Sequence, residues 1–488
     1  MNSFVVSIEC PLCGAPLDFS EGSNAVQCLH CKATLLVTGR KKVLSYYIDP
    51  RIDVHLAVAA AMAELKNRGM EGCRVVNPSL YFVPYYRLTG QDLRWEKPVP
   101  KKEDREEDGP ELAGPGPGTP AEASFSLFAG LVGKFFNDET LRDTIPDILS
   151  AGKGLSSGHP VFNGVQLNDR YIEKNFIACN LGGSGLYSIG VRATVLKLKA
   201  FNLGSLNSLG KIVAPDISPE NALVRGLRSD VDGELVYRTV MGRILSVIYF
   251  PFWAVEIERK GEGMISIVDA VSKSIIKSEA PSSLKGLLDR EVQKGQKTAG
   301  FRPLVCPNCG WDLPVRPDDA IFICPSCNKG WQIYGDLFHE TDYRIGELNN
   351  PGLKGNVRYL PFWVIQAEKE GKPFELFLPA FRYRRLKALS DLASRITTKQ
   401  PVCRFSENGK DKVNTEAFEG CYYDQEDAAL LACFVNAGLE MKKGNGKIGP
   451  ETLRMKGAVL TWFPFAINGA SLVDPFTGTY LTRALFCS

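Results

Sequence analysis

CPLCGAPLDFSEGSNAVQCLHC, residues 10–31, is answered later in the chain by CPNCGWDLPVRPDDAIFICPSC, residues 306–327. Each stretch has the form CxxC, fourteen residues, CxxC. Two cysteines with two residues between them can grip one ion from a tight turn. The glycine that follows (Gly14, Gly310) lets the backbone leave that turn, and two such knuckles close a tetrahedral four-cysteine site. Cys10, Cys13, Cys28 and Cys31 are therefore one expected ligand set, and Cys306, Cys309, Cys324 and Cys327 the other. Zn²⁺ suits four thiolates best, although Fe²⁺ uses similar spacing. With every position taken by protein, no place is left for a catalytic water, so the expectation is two structural Zn²⁺ ions in two zinc ribbons. His30 lies between two ligands but is surplus to the four.

Ribbons often read nucleic acid, and loop charge bears on that function. Asp18 and Glu21 lie between Cys13 and Cys28 with no Lys or Arg, and Asp312, Asp318 and Asp319 outweigh Arg316 between Cys309 and Cys324. Acidic loops repel phosphate, which turns the expectation toward protein docking or a structural role. The most basic stretch is elsewhere: Arg382, Arg384, Arg385, Lys387 and Arg395, interleaved with Phe381 and Tyr383. It reads as a strand end and the solvated face of a helix, with binding of nucleic acid or an acidic partner as the alternative.

The chain has 488 residues, 44% hydrophobic and 23% charged, with a net charge of +3. That is too long for one core and ordinary for a multidomain globular protein. The first residues show no cationic and apolar leader, and no run reaches the roughly 18–20 apolar residues of a membrane span. The expected location is the cytoplasm. In a reducing compartment, eight of fourteen cysteines at paired spacing point to metal rather than disulfides. The other six, Cys73, Cys179, Cys403, Cys421, Cys433 and Cys487, read as small hydrophobes.

Changes of composition divide the chain into a first ribbon (1–42), a helix–strand module (43–96), a flexible linker (97–124), an α+β module (125–298), a second ribbon (299–337) and a final α+β module (338–488). The linker is marked by a charged run and Pro-Gly repetition. Helices are expected over Ile52–Met70, with Val54, Val58, Met62 and Leu65 on one face, and over Phe125–Phe136, Asn137–Ser150 and Ser282–Gln296. Others are expected after Ser218 and near Leu386–Ile396 and Gln425–Lys442. Strands are expected at Leu80–Leu88, Tyr187–Phe201, Ile244–Glu258, Gly263–Ile276, Tyr359–Ala367 and Phe374–Tyr383, with a terminal hairpin over Ala458–Leu485.

One phrase recurs four times: Tyr81-Phe-Val-Pro84-Tyr-Tyr86, Tyr249-Phe-Pro251-Phe-Trp253, Tyr359-Leu-Pro361-Phe-Trp363 and Trp462-Phe-Pro464-Phe465. Val268-Asp-Ala-Val271 and Val473-Asp-Pro-Phe-Thr-Gly478 form a second recurring pair. The expected fold class is α+β: two ribbons, each heading one copy of a duplicated half built on antiparallel β-meanders. The aromatics read as core, with a shallow groove for a peptide or lipid-like ligand as the alternative.

No catalytic constellation is visible. His30, His55, His159 and His339 are in no metalloprotease, nucleophile-elbow or Cys-His pattern, and no cofactor fingerprint is present. The CPLCG and CPNCG knuckles together with Tyr359-Leu-Pro-Phe-Trp363 resemble bacterial double zinc-ribbon proteins with aromatic-Pro-aromatic strand repeats. Some of those are associated with phage-shock and flotillin-type membrane-stress systems. The resemblance implies peripheral membrane contact, although the spans some relatives carry are missing here. The expected function is a non-enzymatic, zinc-stabilised cytoplasmic scaffold or adaptor for a protein partner; the alternative is a nucleic-acid-binding zinc-ribbon protein.

Overall fold

The computed structural model describes residues 4–39, 42–97, 165–182, 184–187, 196–227, 234–281, 283–289, 297–334, 337–347, 357–369, 371–407, 417–442 and 453–486. All but the first residue of the expected linker, the helices expected at Phe125–Phe136 and Asn137–Ser150, and Cys487 lie outside the described residues. The first ribbon supplies β1 (Val5–Glu9), β2 (Pro16–Ser20), β3 (Ala25–Gln27) and β4 (Thr34–Thr38). A first body follows with β5 (Leu44–Tyr47), α1 (Val54–Asn67), β6 (Cys73–Lys97), β7 (Gln166–Ile177), β8 (Lys197–Ala200), α2 (Leu203–Leu209) and β9 (Lys211–Ile212). It ends with α3 (Pro219–Leu227), β10 (Glu234–Arg259), β11 (Glu262–Asp269), β12 (Ile275–Pro281) and α4 (Leu284–Leu288). The second ribbon contributes β13 (Gly300–Pro303), β14 (Ile321–Ile323), β15 (Gly330–Tyr334) and β16 (Leu337–Thr341). The second body holds β17 (Tyr343–Glu347), β18 (Val357–Lys369), β19 (Lys372–Pro379), α5 (Leu386–Lys399), β20 (Arg404–Glu407), α6 (Gln425–Lys442), β21 (Arg454–Asn468), β22 (Ser471–Val473) and β23 (Tyr480–Thr482).

Among the described residues the strands form mixed sheets. A ten-stranded sheet runs β12-β11-β10-β5-β8-β1-β2, with β6 also paired to β10 and both β7 and β9 to β6. A seven-stranded sheet runs β19-β18-β21-β17-β20, with β22 and β23 continuing from β21. The spine of the first is the antiparallel pair β6 and β10, which runs from Cys73↔Arg259 to Lys97↔Glu234 with three shifts of register along the way. These strands are far longer than the apolar text alone predicts, because their distal parts bury polar residues: Arg87, Thr89, Gln91, Asp92 and Arg94. The Asp92 carboxylate is satisfied by Arg238 at 2.7 and 2.9 Å and Arg170 at 3.3 Å, both distant in sequence. A buried charge survives only with such partners.

The recurring prolines sit in central strands, where a missing N–H should break the ladder. The bonding around them explains why they are tolerated. The carbonyls of Pro84, Pro251 and Pro361 accept from the N–H groups of Ala178, Ala270 and Ala380 at 2.9, 3.1 and 2.9 Å. The return bond that a proline cannot give leaves each alanine carbonyl open, and each takes two backbone N–H groups instead: Asp216 and Ile217, Arg51 and Ile52, Tyr422 and Tyr423. The aromatic two residues past each proline completes the dock. Tyr86 Oη donates to Ile217 O at 2.7 Å, Trp253 Nε1 to Ile52 O at 3.1 Å and Trp363 Nε1 to Tyr423 O at 3.0 Å. Beyond each dock a side chain caps a helix: Ser218 accepts from Asn221 N, Asp53 from Leu56 N and Asp424 from Asp427 N. The fourth phrase lacks this dock, since Pro475 stands where the alanine would be and has no N–H. It keeps the turn that follows. Asp269 Oδ1 accepts from the N–H groups of Val271 and Ser272, and Asp474 Oδ1 from those of Phe476 and Thr477.

The aromatics of all four strands are buried or half-buried, so they build the core and line no open groove. The two bodies pack on each other: Trp95 stacks on Phe434 with centroids 5.6 Å apart, and Leu93, Leu167, Tyr237 and Met241 enter the core of the second body. Asp169 of β7 accepts from Lys387 N, in the first turn of α5. Two expectations meet the described residues in part. α1 fully buries Ala57, Ala61 and Leu65, and the expected Val58 and Met62, half-buried, pack against the same core, so small alanines complete the face by letting the helix approach its strands closely. Of the helix expected at Ser282–Gln296 only Leu284–Leu288 is described as helical; 290–296 lie outside the described residues, as do 188–195 of the strand expected at Tyr187–Phe201. No helix among the described residues is long and apolar enough to cross a membrane.

Candidate metal centres

Each CxxC pair is shaped by its own backbone. Gly14 N donates to Cys10 O and Gly310 N to Cys306 O, both at 2.8 Å, with Gly14 and Gly310 both at φ 73°. Lys32 N donates to Cys28 O and Asn328 N to Cys324 O, both at 2.9 Å. Lys32 and Asn328 are themselves left-handed, at φ 62° and 56°. These turns aim four sulfurs at one point in each ribbon, all within 4.8 Å of one another.

The separations fit a metal. Cys10–Cys31 and Cys13–Cys28 Sγ atoms are 3.9 and 3.8 Å apart, and Cys306–Cys327 and Cys309–Cys324 are 3.6 and 3.5 Å apart. A tetrahedron with metal–sulfur bonds of about 2.3 Å has an edge of about 3.8 Å, whereas a disulfide needs about 2.05 Å. Both clusters can therefore hold a metal ion. The backbone N–H groups of Cys31 and His30 hold the Cys28 thiol down to about 6, and that of Trp311 holds Cys309 down to about 7. Each ribbon thus has one cysteine favoured as thiolate, the ligating form, near neutrality. Its neighbour across the cluster, Cys13 or Cys324, is pushed up to about 12 by burial and hydrogen bonds to the other cysteines.

The surroundings of the two centres differ. The first ribbon joins the ten-stranded sheet through β1, parallel to β8, and its loop carries Glu21 into the interior. There Arg87 Nη1 and Ser246 Oγ donate to the Glu21 carboxylate, while Arg87 Nη2 reaches Glu173 at 3.0 Å and its guanidinium lies over the Phe4 ring at 4.6 Å. The second ribbon sits on the second body. Ala320 N donates to Cys421 O at 2.7 Å, Arg382 pairs with Asp318, and Ile321 and Ile323 enter that core.

The ribbons also meet each other. β13, which leads into the second, pairs antiparallel with β4 of the first, Gly300↔Thr38 to Pro303↔Leu35. Asn24 Nδ2 donates to Asp319 O at 2.6 Å, and Ala25, Leu36, Leu304, Leu313 and Phe322 share one small core with Cys306 and Cys324. One contact has no trace in the ligand pattern: Trp331 Nε1 donates to Cys306 Sγ at 3.2 Å. Its only sequence signal is an indole four residues past the last ligand.

The eight expected ligands are brought together; the other singled-out residues are not. His30, His55 and His339 are exposed and apart from the clusters, and His159 lies outside the described residues. Cys179, Cys421 and Cys433 are buried, while Cys73 and Cys403 are half-buried. In the basic stretch Arg384, Arg385, Lys387 and Arg395 are exposed, but Phe381 and Tyr383 are buried and have no face on which a base could stack. Two crevices, each with about 20 Å³ of internal space, lie where a ribbon meets its body. Phe19, Ser23, Leu44 and Ser246 line one, and Asp319, Phe418, Cys421 and Trp462 the other. Each has room for about one water. No family model, curated protein or solved structure matches the chain.

Proposed function

We propose that this chain is a non-enzymatic, zinc-braced cytoplasmic scaffold or adaptor for a protein partner, with one structural Zn²⁺ in each four-cysteine cage. The observation that carries the reading is the position of the cages. Each is closed by four cysteines, and the joined ribbons stand between two sheet bodies, where a closed site serves as a brace. Leu12 and Leu29, between the ligands of the first ribbon, are 62% and 81% exposed, and Trp311 beside the second knuckle is 61% exposed. Apolar side chains held outward on a rigid frame suit a protein surface better than phosphate, and so do the acidic loops. The recurrent proline docks support an ancestral duplication of the two halves, in keeping with the resemblance to double zinc-ribbon proteins.

The test is elemental analysis followed by affinity capture from native cytoplasm. Two zinc ions per chain are expected, and a protein partner retained at constant stoichiometry by the metal-loaded chain but lost when Leu12 and Leu29 are changed to Ser. Capture of nucleic acid that washes off with salt, or retention unaffected by those substitutions, overturns the reading.

A further inference from the structure

The two cages are matched in nearly everything that touches sulfur, which isolates the one contact that is not. In each ribbon the backbone after the second cysteine donates to it, from Ala15 to Cys13 and from Trp311 to Cys309. In each, two successive amides donate to the third cysteine, from His30 and Cys31 to Cys28 and from Ser326 and Cys327 to Cys324. Among the described residues, the side-chain donor found at a sulfur belongs to the second ribbon. Trp331, 7% exposed and edge-on to Phe338, points its indole N–H at Cys306. The corresponding position in the first ribbon, four residues past the last ligand, is Leu35, buried and without a donor. The fourth ligands differ as well: Cys31 is exposed, whereas Cys327 is half-buried against the core shared by the ribbons. The second ligands, Cys13 and Cys309, are both exposed, so the difference in burial lies at the fourth ligand.

An N–H aimed at a thiolate stabilises its charge and fixes its orientation, and burial denies a competing ligand the approach it needs. We propose that the two centres are unequal in kind: the second is a locked structural site held by Trp331 as its positioning residue, and the first is the exchangeable one. This rests on the reading of both clusters as zinc sites and adds a division of labour to it. Zinc then enters and leaves through the knuckles of Cys13 and Cys31, so the first ribbon responds first to a fall in available metal. The loop that those ligands close carries Glu21 to Arg87, which couples occupancy of the first site to the interior of the ten-stranded sheet.

The experiment uses the full chain loaded with two zinc ions and mixed with excess EDTA, with release followed by a zinc-sensitive dye. Release in two phases of one ion each is expected. Cys31→Ser should remove the fast phase, and Trp331→Phe should make the slow phase about 10- to 100-fold faster. With Co²⁺ in place of Zn²⁺, Trp331→Phe should also shift the thiolate-to-metal charge-transfer band, a signature that loss of packing alone does not move. Release of both ions at one rate, or a slow phase and a band untouched by Trp331→Phe, overturns the inference. Binding of fewer than two ions instead overturns the zinc reading beneath it. Should Trp331→Phe fail to fold, Cys31→Ser decides: loss of the fast phase supports the inference, and loss of the slow phase refutes it.

Discussion

Glu21, at the tip of the first ribbon's loop, is sealed with Arg87 inside a sheet, whereas the tip of the second offers Asp318 to a half-buried Arg382 near the surface. The knuckles behind these tips are alike to within a few tenths of an ångström in bond length and about 6° in φ. A metal cage is thus a local object that any loop of suitable length can close. What the cage does for the molecule is settled by the few residues that fasten it to its neighbours.

The largest effect should come from removing a ligand. Cys306→Ser and Cys10→Ser are each expected to cost several kcal/mol, because metal affinity in such sites is folding energy. Cys306→Ser should cost more, since the second ribbon supplies β13 to the first and Ile321 and Ile323 to the second body. Thermal melting ranks them; a Cys10→Ser chain as unstable as Cys306→Ser would erase the asymmetry, and no shift in either would uncouple metal from folding.

Next comes Glu21→Gln. Arg87 is 1% exposed and would lose the carboxylate sealed beside it, so a loss of about 3–5 kcal/mol is expected. A urea midpoint close to wild type would show that the pair is replaceable. Asp318→Asn is the smallest perturbation. Its ion pair with Arg382 is partly solvated, 20% and 36% exposed, and at most about 1 kcal/mol should be lost. A loss equal to that of Glu21→Gln would mean that both tips anchor alike.

The cages and the proline phrases were legible because their chemistry is local: ligand spacing and aromatic pattern survive in a short window. Helices α5 and α6 were legible for the same reason, and α6 spans the expected Gln425–Lys442. The distal parts of β6 and β10 were not, because Arg87, Gln91, Asp92 and Arg94 read as solvent-facing until Glu21, Arg170 and Arg238 arrive from elsewhere. The strand position of the prolines was not legible for a different reason. They mark edges when only their own N–H is counted, and central strands once the freed alanine carbonyl is seen to dock a helix. The Trp331 contact lay hidden because an indole near a ribbon is ordinary core text, and its bond to sulfur exists only after the strands pair.

The pairing of β13 with β4 also bears on how the chain is made. During synthesis the edge of β4 faces solvent until Gly300 emerges some 260 residues later, which at about 5–20 residues per second is a delay of roughly 15 to 50 s. An uncovered strand edge invites pairing with a neighbouring nascent chain. The order of synthesis thus leaves the edge at residues 34–38 open to such pairing for longer than any strand that meets its neighbour within a hairpin.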